Sequence, residues 1–194
     1  KRQDQQVQND LVEKITNRYP EDRIFAEEDG LRSPISEGSV WVIDPIDGTN
    51  NFVTQKEDFA VMVAYFEDGI GQFGLIYDVM RDHLFYGGGE FPVYRNEVEL
   101  TPFVDQPLEN FLIASNVGML EKNDWGMADL GIDSLGIRVY GSAGISFSKI
   151  LSGGILAYFS YIWPWDYAAA AIMGEQLGYT VLNLYGDCLL YTSD

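Results

Sequence analysis

The sequence predicts an α+β or mixed α/β protein built in several layers, and three observations carry this. Closely spaced β-rich segments fill the first half. Strand-like and helical segments alternate in the second. An amphipathic helix pattern stands near the start. A chain of 194 residues can bury one sizeable core, as one domain or as two tightly joined lobes. The change of character near residue 108 gives an expected single domain (1–194) with an α+β lobe over about 1–107 and an α/β lobe over about 108–194.

The elements follow in chain order. Residues 4–18 place Val7, Leu11 and Ile15 at four-residue spacing, a helix that stops near Tyr19-Pro20. "RIFAEEDG" reads as a short strand, Arg23 to Ala26, ending in acids and a glycine turn, and "LRSPISEGS" reads as a loop. "WVIDPIDGTNNFV" begins as an apolar strand over 40–43, with Pro45 and Gly48 marking a turn at its end. Residues 58–66 and 70–78 are β-rich and separated by "EDG", a hairpin signal. "DHLFYGGGEFPVYRNEVEL" continues as β-rich pieces broken at Gly87 to Gly89. Beyond 108, "FLIAS", part of "SLGIRVYGS", and "ILAYFSYI" read as strands, and "AGISFSKILSGG" has helical spacing with a glycine stop. "PWDYAAAAIMGEQLG" starts on Pro164 and runs through alanines to Gly178, a helix with both start and stop signals. The alternating aromatics Tyr158, Phe159, Tyr161, Trp163 and Trp165 read as a packed strand.

Composition narrows the function. With 46% hydrophobic and 22% charged residues, the chain reads as an ordinary soluble globular protein. A net charge of −18 with scattered Lys and Arg argues against nucleic-acid polymers and anionic membranes as partners. No apolar run reaches about 18 residues, so no membrane span is expected. The opening "KRQDQQVQND" is polar and does not read as a signal peptide. Cys188 is the single cysteine and His83 the single histidine, which excludes an internal disulfide framework and a His- or Cys-rich zinc site. A cytoplasmic location is the default expectation.

Three acidic sites share one context, a carboxylate at a strand end or helix start. They are Glu27-Glu28, the pair Asp44 and Asp47 in "DPIDGT", and Asp166 in "PWDYAA". Taken singly, Asp-Gly is a turn, Glu-Glu-Asp a solvated surface and Asp166 a helix cap. Two carboxylates at the inner end of a buried strand are different, because they repel and lose hydration unless a cation or proton compensates them. Gathered together, such groups form an oxygen-rich site for Mg²⁺, with coordination positions left for a substrate phosphate. Pro45 would fix the Ile46 carbonyl as a further ligand. Gly48 and Thr49 offer backbone N–H groups to a phosphate oxygen, and the Thr49 hydroxyl can orient a water. An EF-hand does not fit, since twelve positions from Asp44 falls on Gln55.

"AEED", "WVIDPIDGTNNFV" and "PWDYAAA", in this order and approximate spacing, resemble the inositol monophosphatase family, within the Mg²⁺-dependent, lithium-sensitive phosphatase superfamily that includes fructose-1,6-bisphosphatase. The resemblance runs from about residue 4 to residue 186 and implies a layered α-β-α-β-α sandwich, commonly in a homodimer. It implies Glu27, Asp44, the Ile46 carbonyl, Asp47 and Asp166 as ligands of two or three Mg²⁺ ions. Gly48 and Thr49 match the phosphate-binding amides, and Thr49 with Asp4 matches the pair that activates the attacking water. Ser142 and Ala143 of "GSA" match the family's loop that borders the non-phosphate part of the substrate. Ser160 or Phe159 stands where inositol-specific members place an acid. The implied activity is phosphomonoester hydrolysis of a small phosphorylated alcohol such as inositol 1-phosphate. NADP(H), a 3′,5′-bisphosphate nucleotide and fructose-1,6-bisphosphate remain alternative substrates, and a non-catalytic metal-binding homologue remains an alternative role.

Overall fold

The computed structural model describes residues 2–189. Helix α1 (Arg2–Arg18) precedes strand β1 (Arg23–Ala26), and a single 3-10 turn (Glu28–Gly30) leads toward strand β2 (Ser39–Asp47). After a short helix α2 (Thr49–Thr54), five strands follow: β3 (Ala60–Glu67), β4 (Ile70–Asp78), β5 (His83–Gly88), β6 (Phe91–Arg95) and β7 (Val98–Glu99). Among the described residues these strands form a seven-stranded sheet in chain order. β1 and β2 run parallel and every later pair is antiparallel.

The remaining elements are β8 (Leu112–Ser115), α3 (Val117–Lys122), α4 (Met127–Asp133), β9 (Gly136–Arg138), α5 (Ala143–Leu151), β10 (Ala157–Phe159) and α6 (Pro164–Gln176). β10, β8 and β9 pair in parallel as a second sheet. The mixture of a largely antiparallel sheet, a parallel sheet and covering helices is the mixed α/β class that the sequence predicts. No helix among the described residues is long and apolar enough to cross a membrane.

The core lies between the large sheet and the helix pair α5 and α6. The alanine run in α6 has a structural reason. Ala168 to Ala171 are buried, and the helix backbone lies so close to the sheet that a Cβ on Gly74 would stand 2.3 Å from the Ala169 carbonyl oxygen. Small residues on both surfaces permit that approach, and it brings the first turn of α6 near the ends of β1 and β2. α1 packs against β2 and the Glu28–Gly30 turn from another side.

Two readings are corrected. β2 does not stop at Ile43; it continues through Pro45 to Asp47, with a break in register against β3 between Asp44 and Asp47. Proline has no N–H to give a ladder, and an irregularity is where a strand accommodates it. The aromatic run is not one packed strand either. β10 ends at Phe159, and Tyr161 and Trp163 are exposed, at 59% and 66% of their surface.

Candidate metal and phosphate site

The break in β2 creates the site. In a regular strand, residues three apart point to opposite faces, so Asp44 and Asp47 would diverge. Asp44 instead pairs with Met62 and Asp47 with Ala60, a two-for-three mismatch that turns both carboxylates toward one place. Asp166 comes to the same place from the first turn of α6. One carboxylate oxygen from each of Asp44, Asp47 and Asp166 lies within 4.8 Å of the others. The Trp163 N–H donates to Asp166 Oδ2 at 2.6 Å, so Asp166 both caps the helix and joins the cluster. Glu27 follows β1, whose end is registered beside Ile43, and its N–H donates to the Ile43 carbonyl at 3.2 Å. It lies outside the closest group but lines the same cavity.

That cavity measures about 260 Å³ and is lined by Glu27, Asp44, Ile46, Asp47, Gly48, Thr49, Asn50, Gly141 and Asp166. Gly48 has φ +81°, and a Cβ there would stand 2.9 Å from the Ser142 Cβ, so glycine is required by both backbone and space. The Thr49 hydroxyl donates to the Ile46 carbonyl at 3.1 Å. Asp4 is buried on α1, near enough for its charge to act on Glu27, but it does not line the cavity.

Ser142 and Ala143 meet Asp47 from behind. The Ser142 hydroxyl and the N–H groups of Ala143 (3.0 Å) and Gly144 (2.7 Å) all donate to its carboxylate. Ser142 also accepts from the Ile145 N–H at 3.1 Å, capping α5, so one side chain ties the helix start to the acid. Ser160 lies elsewhere: its hydroxyl accepts from Asn116 Nδ2 at 3.0 Å, and it lines a larger cavity of about 890 Å³ that is mostly apolar. No carboxylate is among the residues lining that cavity.

Electrostatics set the acidic cavity apart. Burial, reinforced by Asp47, Glu27 and Asp166, pushes the Asp44 carboxyl well above its ordinary range. Burial, then the charges of Asp166 and Glu28, raises Glu27 from 4.5 to about 7. Asp47 is raised from 3.8 to about 6 by burial, against the lowering effect of the Ser142 hydroxyl. Asp166 is raised by burial as well. Moreover, Asp44 Oδ1 is buried without a hydrogen-bond partner among the described residues. An orphaned buried oxygen in a carboxylate cluster fits a hard divalent cation such as Mg²⁺, which takes oxygen donors alone.

Three supporting residues escape the sequence reading. Gln8, one helical turn beyond Asp4, is buried and pairs with the Glu28 backbone in both directions, donating to its carbonyl at 3.0 Å and accepting its N–H at 2.9 Å. It holds the turn that presents Glu27. Asn51 Nδ2 donates to the carbonyls of Asp58 (2.9 Å) and Tyr140 (2.7 Å), fixing α2 against the segment leading to Ser142. Arg32 crosses the turn after Glu27. The four-residue step from Asp4 to Gln8 was the available signal for Gln8; the other two have no local pattern.

The chain is similar along its length to proteins of known kind. Inositol-1-monophosphatase of Bacillus subtilis (strain 168) is 35% identical over 190 residues, covering 95% of this chain and 72% of that protein. The crystal structure of inositol monophosphatase-II from Staphylococcus aureus MSSA476 superposes with a TM-score of 0.90 at 33% identity, over 96% of this chain and 74% of that one. An IMPase/NADP phosphatase solved with Mg²⁺ and phosphate superposes with a TM-score of 0.89 at 26% identity, over 97% of this chain and 72% of that one. The family model for the inositol monophosphatase family matches residues 1–194, and the chain belongs to that family.

Proposed function

We propose that this chain is a Mg²⁺-dependent phosphomonoesterase that hydrolyses a small phosphorylated alcohol, with inositol 1-phosphate as the leading substrate. The observation that carries the reading is the convergence of Asp44, Asp47 and Asp166 within 4.8 Å, in a cavity that also exposes Gly48 and Thr49. Four buried or half-buried acids share a cavity at a cost that cations or protons must compensate.

Glu27, Asp44, Asp47, Asp166 and the Ile46 carbonyl would hold two or three Mg²⁺ ions. Bound Mg²⁺ supplies positive charge for the phosphoryl oxygens and lowers the pKa of water at the site. Gly48 and Thr49 offer their N–H groups to a phosphate oxygen. Thr49, oriented by its bond to the Ile46 carbonyl, steers the attacking water, with Asp4 in support. Ser142 and Ala143 border the substrate while they hold Asp47. No covalent phosphoenzyme is required. Small anionic substrates rather than nucleic acid, a cytoplasmic setting, a homodimer and lithium sensitivity complete the reading.

The similarity to an IMPase/NADP phosphatase supports a second substrate, the 2′-phosphate of NADP(H). Phosphate release from inositol 1-phosphate, NADP(H), a 3′,5′-bisphosphate nucleotide and fructose-1,6-bisphosphate, with and without Mg²⁺ and Li⁺, tests both. The expected result is Mg²⁺-dependent turnover of inositol 1-phosphate that Li⁺ depresses. Mg²⁺ binding without turnover of any compound would instead favour a non-catalytic homologue.

A further inference from the structure

Arg32 joins the two segments that bring Glu27 and Asp166 into the site. The Ala26 N–H donates to the Leu31 carbonyl at 2.9 Å, which closes the turn after β1. The Arg32 guanidinium then reaches back over that turn. Its Nη1 donates to the Ala26 carbonyl and to the Leu31 carbonyl (3.1 Å), and its Nη2 approaches the Glu27 carbonyl at 3.5 Å. The same guanidinium lies 4.5 Å from the centre of the Trp165 ring and 5.4 Å from that of Phe25. Trp165 is almost fully buried, directly precedes Asp166, and stacks on Trp163 at 5.6 Å with 12° between the planes. One planar cation therefore fastens the backbone beside Glu27 to the first turn of α6.

We propose that Arg32 is a positioning residue that sets the distance between Glu27 and Asp166, and so governs how tightly the Glu27 side of the site holds a divalent cation. This inference rests on the metal-dependent reading above. A planar fork can donate to two carbonyls while its face packs on an indole, whereas the lysine ammonium cannot do both. Gln8 fixes the same turn from the α1 side, which leaves Arg32 as its anchor on the α6 side.

The test is calorimetric titration of the protein with Mg²⁺ alone, beside the Mg²⁺ dependence of phosphate release. Arg32→Gln and Arg32→Lys are both expected to weaken Mg²⁺ binding by about tenfold, the usual loss when a group that orients a ligand is removed. Their kcat at saturating Mg²⁺ should stay close to that of the parent protein, and the substrate KM should not move. In a Trp165→Leu background the Arg32→Gln loss should shrink, because the two groups form one clamp. Mg²⁺ affinity unchanged in Arg32→Gln overturns the proposal. So does an Arg32→Lys protein that matches the parent, since charge alone would then suffice. If Arg32→Gln yields no folded protein, Arg32→Lys, which keeps the stem and the charge, decides the matter. A parent protein that takes up no Mg²⁺ overturns the metal reading itself, a result distinct from uptake that Arg32 does not affect.

Discussion

Replacing Asp44 by asparagine is expected to stabilise the metal-free protein while removing its response to Mg²⁺. Asparagine matches the aspartate in shape, and Asp44 Oδ1 has no hydrogen-bond partner to lose. The gain comes from charge: at pH 7.5 the buried acid must either stay ionised beside its neighbours or hold a proton it would give up in the unfolded chain, and asparagine does neither. Asp44 shares the cluster with Asp47 and Asp166, ligand atoms lying within 4.8 Å. At an effective dielectric of about 20, one pair of charges at that separation repels by about 3.5 kcal/mol. Burying an amide instead of the acid costs about 1–2 kcal/mol. The net expectation is about 2 kcal/mol at pH 7.5, which for a chain of this size raises Tm by roughly 4–8 °C. Thermal unfolding in a chelator and then in rising Mg²⁺ measures both effects. Wild type should start lower and climb with Mg²⁺, by about 2.7 kcal/mol once the ion reaches a hundred times its Kd. Asp44→Asn should start higher and stay flat. A metal-free Asp44→Asn protein that melts below wild type would refute the reasoning, because Asp44 would then be making favourable contacts rather than awaiting a cation.

Three further expectations are independent of that one. Glu27 and Asp47 have folded pKa values raised to about 7 and about 6, so their neutral forms favour the fold. Their contribution is full below the ordinary carboxylate range and lost as pH rises through 6 to 7. Metal-free Tm should fall across that window, and Mg²⁺ uptake measured by calorimetry in two buffers should release protons there. Ser142→Ala removes both a donor to Asp47 and the cap of α5, and should lower stability by about 1–2 kcal/mol in chemical denaturation. Its Mg²⁺ requirement should rise in the same protein. Gly74→Ala places a Cβ 2.3 Å from the Ala169 carbonyl and must push α6 off the sheet, costing about 1–3 kcal/mol and weakening Mg²⁺ binding through Asp166. Gly154, outside the left-handed region and with its nearest neighbour at an ordinary 3.5 Å from a built Cβ, is the control: its alanine variant should bind Mg²⁺ normally.

Much of the site was legible because its acids sit where a bland explanation is costly. Two aspartates closing an apolar strand, with proline between them, demand compensation, and the structure places both with Asp166 in one cluster. The helix after Pro164 was legible from its start and stop residues, and it runs Pro164–Gln176 with Gly178 in the left-handed region. The route by which Asp44 and Asp47 converge was not legible. Proline and glycine read as a turn, but the strand continues and a shift in register does the bending, which depends on β3 and not on local sequence. The aromatic alternation from Tyr158 misled for a related reason: period alone cannot tell a strand from an extended segment that turns its rings outward. Gln8 and Asn51 act on backbone groups 20 and 89 positions away, and only the fold brings them there.

The central claim is that the carboxylates of β2 and α6 are held together by divalent cations. Crystals grown with Mn²⁺ in place of Mg²⁺ test it directly, by anomalous diffraction at the manganese edge. The expected result is at least one peak within about 2.0–2.4 Å of oxygens from Asp44, Asp47 and Asp166, absent in Asp44→Asn. Full Mn²⁺ occupancy elsewhere, with nothing between these three residues, would contradict it.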